Sequence, residues 1–306
     1  TANLKLPTQR CGAVGFLRVH AEEDVNSKRS PAHRAAGLLY TSSQRQAMRR
    51  FNAEYLRETR RGMWADSREA LADLALADCE RAVDVGCGEG ALTRVLREEC
   101  PGEVVGCDRD ARLLAELEEP TVRADAYRLP FADGSVDLVA CQALLINLPD
   151  PERAVREFAR VAADRVACVE PDNSAVGVKS TVEAEADLAR RARGRYLAGA
   201  DTDVALGADA ADVFSEAGLS NVRTRRYEQT LVVEPPYTES EVEAVGRKAS
   251  GAGLRERRET MIGTEEALDS LRADWREMGR DAAAQLARGA YRREETVPFY
   301  VVVGDV

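Results

Sequence analysis

The sequence predicts an α/β fold with a mostly parallel, doubly wound sheet, and two observations support this prediction. Short apolar β-type runs alternate with amphipathic helical segments from residue 81 to residue 171, and this alternation implies parallel strands joined by right-handed helical crossovers. The first run, residues 81–85, continues directly into a glycine-rich turn and then into a helical pattern. Doubly wound sheets open their nucleotide-binding sites in this way.

Seven strands are predicted, five of them before residue 172. These strands are residues 81–85, 103–107, 122–124, 135–141, 165–169, 221–233 and 297–303. Helices are predicted at residues 91–99, 113–117, 151–162, 181–198 and 208–217. Two further helical segments, 44–64 and 67–76, precede the first strand, and a mostly helical stretch with a hinge at 250–253 separates the last two strands.

The composition excludes some classes of protein. The 306 residues are 44% hydrophobic and 31% charged and have a net charge of −10, which argues against a broad nucleic-acid-binding surface because such surfaces are usually basic. We see no N-terminal signal pattern and no apolar run long enough to span a bilayer. We therefore expect a soluble, cytoplasmic protein, as a monomer or a homodimer.

The seven cysteines are scattered along the chain and include no C-x-x-C pair. Their odd number argues against a disulfide framework, and their spacing matches neither zinc nor iron–sulfur sites. No metal site is predicted. Several cysteines lie in apolar runs, where we expect them to act as small buried hydrophobic residues.

Three alternate glycines follow the first strand. Gly86, Gly88 and Gly90 form a G-x-G-x-G pattern, whereas the dinucleotide-binding fingerprint is G-x-G-x-x-G. Glycine allows the backbone to approach a ligand where a Cβ atom would collide with it. The pattern therefore predicts a ligand-binding loop whose glycine spacing differs from that of nicotinamide dinucleotide-binding proteins.

Three carboxylates stand at the ends of predicted strands: Asp84, Asp108 and Asp125. The carboxyl ends of parallel strands lie along one edge of the sheet, where the ligand crevice opens. Asp108 follows the first glycine by about twenty residues, the spacing of an acidic residue that accepts hydrogen bonds from a ribose. We interpret Asp108 as a candidate ribose acceptor.

Residues 82 to about 172 resemble the class I S-adenosylmethionine-dependent methyltransferases, especially the quinone-biosynthesis subgroup. The matching stretches are residues 83–90, 105–108, 124–139, 148–151 and 156–161, in the family's order. The resemblance implies a Rossmann-like, seven-stranded methyltransferase fold with an antiparallel last strand, N-terminal helices and a helical insertion before the last strand. It also implies S-adenosyl-L-methionine as cofactor.

The resemblance assigns cofactor-binding roles residue by residue. It implies that Gly86 and Gly88 approach the methionine part, that Asp108 holds the ribose hydroxyls, and that Asp125 accepts from the adenine amino group. Cys141 and Gln142, placed just past the fourth strand, would line the methyl-transfer region. The full implied set is Asp84, Gly86, Cys87, Gly88, Gly90, Asp108, Arg109, Asp125, Ala126, Cys141 and Gln142. Asp137 matches a family position that we interpret as structural.

The resemblance also implies a domain organisation. We expect residues 1–43 to form an N-terminal extension of unclear structure and residues 44–306 to form a single methyltransferase domain. Within it, we expect a helical cap, a sheet core and a helical substrate lid, at residues 44–79, at 80–234 with 297–306, and at 235–296, respectively. The family's usual Leu-Lys-Pro-Gly-Gly turn before the fifth strand is replaced here by residues 161–164.

The implied reaction is in-line methyl transfer to a small-molecule acceptor. No histidine follows His33, so the core offers no histidine base and no catalytic residue is assigned. Alternatives are an RNA or protein methyltransferase and a non-catalytic cofactor-binding partner subunit. Residues 147–150 are similar to the Asn-Leu-Pro-aromatic motif of adenine-N6 RNA methyltransferases, but Asp150 replaces the aromatic residue that would stack on a flipped base. The glycine spacing and residues 125–131 oppose a nicotinamide oxidoreductase.

Overall fold

The computed structural model describes residues 63–64, 68–118 and 120–306. All of them belong to one compact unit that spans Gln46–Val306. The predicted extension at residues 1–43, and the predicted helix at 44–64 up to residue 62, lie outside the described residues. The predicted division into cap, core and lid stays a prediction.

The predicted α/β sheet is confirmed, with eight strands in the described residues instead of seven. The strands are β1 (Arg81–Val85), β2 (Glu103–Asp108), β3 (Thr121–Arg123), β4 (Val136–Gln142), β5 (Ala162–Pro171), β6 (Gly177–Ser180), β7 (Ser220–Val233) and β8 (Arg293–Asp305). Their order is β3-β2-β1-β4-β5-β8, with β7 on the far side of β8. Strands β1 to β5 are parallel, and β8 is antiparallel to β5, β6 and β7.

Strand β8 begins earlier than the sequence predicted, and the additional residues explain the eighth strand. Residues 299–305 of β8 pair with β5, and residues 293–296 extend beyond the end of β5. This extension leaves an edge with which the short strand β6 pairs. Strand β6 has only four residues and is not fully buried, so it carries no periodic signal in the sequence.

The helices are α1 (Ala91–Glu99), α2 (Ala111–Leu114), α3 (Pro151–Val161), α4 (Glu185–Leu197), α5 (Ala210–Glu216), α6 (Glu239–Ser250), α7 (Ala252–Glu256) and α8 (Glu265–Ala287). Helix α3 starts at the predicted residue. Asp150 Oδ1 caps it by accepting the Arg153 N–H at 3.1 Å, and Pro151 occupies the first turn. The helix predicted at 67–76 is instead two 3₁₀ segments, Arg68–Leu74 and Leu76–Asp78. Ala75 separates them with a left-handed φ of 46°.

Apolar layers cover both faces of the sheet, and a third cluster lies within the helical insertion. One layer contains Phe158 of α3 and Phe214 of α5. The opposite layer contains Leu96 of α1 and Leu74 of the first 3₁₀ segment. The third cluster is centred on Leu271 and neighbouring residues of α6 and α8. Burial of these side chains provides the main driving force for the fold.

The six described cysteines are buried and free, so the expectation of small buried hydrophobic residues is confirmed for them. Cys11 lies outside the described residues. Burial raises the pKa of the Cys79 and Cys107 thiols to about 12, and it raises the pKa of Cys141 and Cys168 well above the ordinary range of a thiol. These thiols therefore stay protonated at neutral pH.

A buried polar cluster, which we call the Glu185 cluster, joins the helical insertion to the sheet. Ser180 of β6 donates to Glu185 Oε2 at 2.6 Å, and Tyr291 donates to the same atom at 2.9 Å. Lys248 of α6 donates to Glu185 Oε1 at 2.5 Å, and Arg293 Nε lies 3.1 Å from that oxygen. A carboxylate that is only 1% exposed thus holds together two helices and two strands.

Opposing effects set the protonation states in the Glu185 cluster. Burial alone would raise the pKa of Glu185, but the Lys248 and Arg293 cations outweigh it and lower this pKa below the ordinary 4.5. Burial, together with the neighbouring Arg293, lowers the pKa of Lys248 to about 8. Glu185 is therefore ionised and Lys248 is charged at neutral pH.

We predict that Glu185→Gln lowers the free energy of unfolding by about 3–5 kcal/mol at neutral pH, because it leaves the buried Lys248 without its carboxylate and leaves Arg293 with Glu295 alone. The folded state holds the Glu185 proton more weakly than the unfolded state, so this contribution is present above pH 4.5 and is lost as the pH falls through the lowered pKa. Urea unfolding at several pH values measures both effects.

The matched control for this prediction is Glu277→Gln, which changes an exposed glutamate within α8. It should alter the free energy of unfolding by less than about 0.5 kcal/mol. An equal effect of the two substitutions, or an unchanged acid dependence in Glu185→Gln, would contradict the role of Glu185.

Candidate functional site

The glycine loop between β1 and α1 is bonded to β2 through its backbone. Gly86, Gly88 and Gly90 have φ angles of 70°, 54° and 76°, a region that side chains with a Cβ rarely adopt. The Cys87 N–H donates to the Cys107 carbonyl at 2.9 Å, and the Gly90 N–H donates to the Cys87 carbonyl at 2.8 Å. The loop therefore has a defined shape.

Gly88 leaves open space at the centre of this loop. A Cβ atom built on Gly88 would have no neighbour closer than 4.0 Å, where the Gly86 carbonyl oxygen lies. The Gly88 N–H donates to Asp108 Oδ2 at 3.1 Å. A ligand can therefore approach the backbone at Gly88, and the carboxylate at the end of β2 lies directly beside that point.

Asp108 and Asp125 lie at neighbouring strand ends, as the sequence predicts. Asp108 Oδ1 accepts the Asp110 N–H at 2.8 Å, so each of its carboxylate oxygens receives one backbone hydrogen bond. Each oxygen can accept a second one. The Ala124 N–H donates to the Asp108 carbonyl at 3.0 Å, which brings the end of β3 to the end of β2. Asp125 is exposed, and its Oδ1 accepts the Tyr127 N–H at 3.0 Å.

The side chains of Asp84 and Cys87 are buried next to the glycine loop, and their implied contact with the cofactor stays a prediction. Asp84 is 1% exposed, and its Oδ2 accepts from the Thr93 hydroxyl at 2.6 Å. The Cys87 side chain is buried, and burial raises the pKa of its thiol. Both residues support the loop from the protein interior. Asp84 does so by joining β1 to α1.

Cys141 and Gln142 are also placed differently from the expectation. Gln142 belongs to β4 together with Cys141, which the predicted strand 135–141 already included, and the Cys141 side chain is 0% exposed within the core. Gln142 is buried, and its Nε2 donates to the Met63 sulfur at 3.1 Å. Cys141 therefore has no surface with which to line a methyl-transfer region. The strand ends one residue later than predicted, at Gln142, because β5 pairs with it as far as Val169.

Residues that follow β4 lie against the glycine loop. Ala143 has a left-handed φ of 47°, and the next residue, Leu144, lies against Gly86: a Cβ atom on Gly86 would be 2.8 Å from Leu144 Cδ1. The buried Glu170, on β5, accepts the N–H groups of Leu144 and Leu145 at 3.0 and 2.8 Å. Glu170 was not identified as a site residue from the sequence. The signal that identified Asp108, an acidic residue at the end of a parallel strand, also applies to Glu170.

The remaining predicted residues lie around this loop. The Arg109 side chain is exposed, and the Arg109 carbonyl accepts from Arg123 Nε at 3.0 Å. Ala126 is half-buried beside Asp125. Asp137 Oδ2 accepts the N–H groups of Glu80 and Arg81 at 2.7 and 2.8 Å. This contact fits the structural interpretation of Asp137, because it joins the start of β4 to the start of β1.

The described residues contain no group of three or more histidine, cysteine, aspartate or glutamate side chains that could hold a metal ion. Among the helices at residues 68–118 and 120–306, none has the length and apolar character needed to cross a membrane.

The arrangement fits a nucleoside that carries a polar tail. The open side of Gly88 admits a group close to the backbone, and the spare acceptor capacity of Asp108 suits the paired hydroxyls of a ribose. Asp125 presents a second carboxylate at the next strand end. The residues present therefore fit S-adenosylmethionine, although this geometry does not select one acceptor.

Residues 83–169 match the family model described as a methyltransferase domain. A demethylmenaquinone methyltransferase of Lactiplantibacillus plantarum is 33% identical over 118 residues, which are 34% of this chain and 50% of that relative. The corresponding enzyme of Thermus thermophilus is 38% identical over 107 residues, 31% of this chain and 49% of the relative. A solved SAM-dependent methyltransferase from Archaeoglobus fulgidus has a TM-score of 0.45 at 12% identity, covering 81% of this chain and 94% of its own.

The chain thus spans about half the length of the curated relatives that it matches. The matched segment contains the glycine loop, the ends of β2 and β3, and all of β4. Residues 83–169 are therefore similar to the methyltransferase domain family, and the similarity covers the segment that carries the candidate site.

Proposed function

We propose that this protein transfers a methyl group from S-adenosylmethionine to a small-molecule acceptor. The observation that carries the proposal is the contact between Gly88 and Asp108. It places an open backbone position and a carboxylate with spare acceptor capacity 3.1 Å apart. A zwitterionic tail beside the glycine loop and a ribose beside Asp108 would use both features together.

The same proposal assigns a part to each neighbouring residue. The backbone of Gly86 and Gly88 would lie along the methionine part of the cofactor, and Asp108 would accept from the ribose hydroxyls. Asp125 would accept from the adenine amino group, with the half-buried Ala126 beside it. Leu144, held against Gly86 by the turn that Glu170 anchors, would form an apolar wall near the reacting end.

The bound cofactor supplies a methyl group on a positively charged sulfur. The protein's residues contribute orientation and exclusion of water, and alignment of this kind is worth up to about 7–11 kcal/mol in favourable intramolecular models. Leu144 and the glycine loop would fix the direction of approach. We assign no general base, because a base is needed only when the acceptor arrives protonated.

A small-molecule acceptor is supported by the relatives and by the charge of the chain. Two of the relatives are named demethylmenaquinone methyltransferases, and another, from Variovorax paradoxus, is named trans-aconitate 2-methyltransferase. The net charge of −10 opposes a broad contact with a nucleic-acid backbone.

Thermal unfolding with three ligands in parallel tests the cofactor. We expect S-adenosylmethionine and S-adenosylhomocysteine to stabilise the protein, by about 2.7 kcal/mol at one hundred times the dissociation constant, and NAD to have no effect. Stabilisation by NAD alone would overturn the proposal. Stabilisation by the first two ligands without methyl transfer to any acceptor in a broad panel would instead favour a non-catalytic binding subunit.

Asp108→Ala should weaken S-adenosylhomocysteine binding by about 1–3 kcal/mol, because the ribose hydroxyls and the Gly88 N–H would lose their acceptor. Isothermal titration calorimetry measures this change. The control is Asp281→Ala, which removes an exposed aspartate within α8. Equal affinities in wild type and Asp108→Ala would refute the assignment of Asp108.

Gly88→Val should abolish S-adenosylhomocysteine binding, because the side chain fills the open space beside the loop. Gly134→Val is a closely matched control: Gly134 also has a positive φ, of 57°, and its Cβ position is also free of neighbours within 4 Å. Both variants carry a backbone strain of about 1–3 kcal/mol, so calorimetry on the folded variants separates strain from ligand exclusion. Retained binding in Gly88→Val, or equal loss in both variants, would count against the loop.

A further inference from the structure

A second cleft lies outside the glycine loop, between α4 and the segment that joins α7 to α8. We propose that this cleft, which we call the Arg195 cleft, binds an organic anion: a carboxylate or phosphate monoester that carries an apolar part. Its volume is about 390 Å³, which lies within the range of small-molecule sites. It is lined by Arg190, Arg191, Gly194, Arg195, Ile262 and Gly263.

The cleft concentrates positive charge in an otherwise acidic chain. Arg190 pairs with Asp187, and Arg191 Nη1 lies 3.8 Å from both Asp187 and Asp274. Within the described part of the chain, Arg195 has no carboxylate within ion-pair distance. Three guanidinium groups therefore face two carboxylates, and the longer contacts of Arg191 leave its charge only loosely compensated. An anion in the cleft would balance this excess.

The Arg195 guanidinium is held in place before any ligand arrives. Its Nη1 donates to the Ile262 carbonyl at 2.9 Å, and the Ile262 N–H donates back to the Arg195 carbonyl at 3.0 Å. Gly263 has a φ of 146°, and a Cβ atom there would lie 2.3 Å from Arg195 Nη1. A side chain at Gly263 would therefore displace the guanidinium from this position. The other N–H groups of Arg195 stay available for two-point recognition of a carboxylate or phosphate.

The cleft also offers an apolar contact. Ile262 is 51% exposed and is one of few large hydrophobic residues on the surface of the described residues. Its own backbone fixes Arg195, so an apolar group and a guanidinium lie at the same place. A bare inorganic anion would leave Ile262 in water, whereas an organic anion would cover it. The structure therefore favours an organic anion over inorganic phosphate.

Calorimetric titration with phenyl phosphate tests the Arg195 cleft, since this probe combines a dianion with an aromatic ring. We expect saturable binding to the wild type at constant ionic strength, and weaker binding of inorganic phosphate. Arg195→Gln and, separately, Arg191→Gln should raise the dissociation constant about tenfold or more, the effect of losing a charge-assisted hydrogen bond. Arg191→Gln is included because Arg191 does not hold the Ile262 segment.

The control is Arg288→Gln, which removes an exposed arginine at the end of α8, and it should bind phenyl phosphate as the wild type does. No saturable binding to the wild type, or equal weakening in all three variants, would overturn the proposal. Inorganic phosphate binding as tightly as phenyl phosphate would also overturn it. S-adenosylhomocysteine binding, measured in the same samples, should stay unchanged in every variant, so failure of this proposal and failure of the methyl-transfer proposal are distinguishable.

Discussion

The rest of the structure depends on the pairing of β8 along both of its edges. One edge pairs with β5 and then with β6, and the other pairs with β7 over residues 220–233. Because a strand exposes N–H and C=O groups on both edges, this pairing satisfies the backbone of β8 and places it inside the sheet. The start of the same strand carries Arg293 to the Glu185 cluster. Closure of the sheet and attachment of the helical insertion therefore rely on one element.

Carboxylates shape the candidate cofactor site mainly by holding the backbone and the neighbouring helix. Asp84 accepts from Thr93, Asp108 accepts from the amide of Gly88, and Glu170 accepts from the turn after β4. Asp84 thereby joins β1 to the helix that follows it. Asp108 joins β2 to the loop after β1, and Glu170 joins β5 to the turn after β4. A charge-assisted hydrogen bond to a backbone amide is stronger than a neutral one, so the loop conformations are fixed before a ligand binds.

The parts of the fold that were predictable have a local signal in the sequence. Strand β1 was predicted with its observed bounds because its apolar run ends at Gly86, and α3 starts as predicted because Asp150 and Pro151 define its first turn. The positions of Asp108 and Asp125 followed from strand ends. The parallel orientation of the first five strands followed from the alternation of strands and helices.

The parts that were not predictable depend on tertiary contacts. The end of β4 at Gln142 depends on how far β5 pairs with β4, and β6 exists because β8 extends past β5. The left-handed Ala75 divides a segment whose leucine pattern is typical of one helix. Glu170 carried a usable signal, but its partner is the backbone at Leu144 and Leu145, which has no residue-type signature.

The burial of the described thiols has a consequence for how local opening can be observed. A protonated, buried thiol reacts slowly with alkylating reagents, so these thiols are hardly labelled in the native state. Cys87 and Cys107 lie at the glycine loop, Cys168 lies at the pairing of β5 with β8, and Cys79 precedes β1. Each thiol therefore reports the rate at which its own part of the sheet opens to solvent. The native cysteines thus form a set of local exchange probes across the sheet.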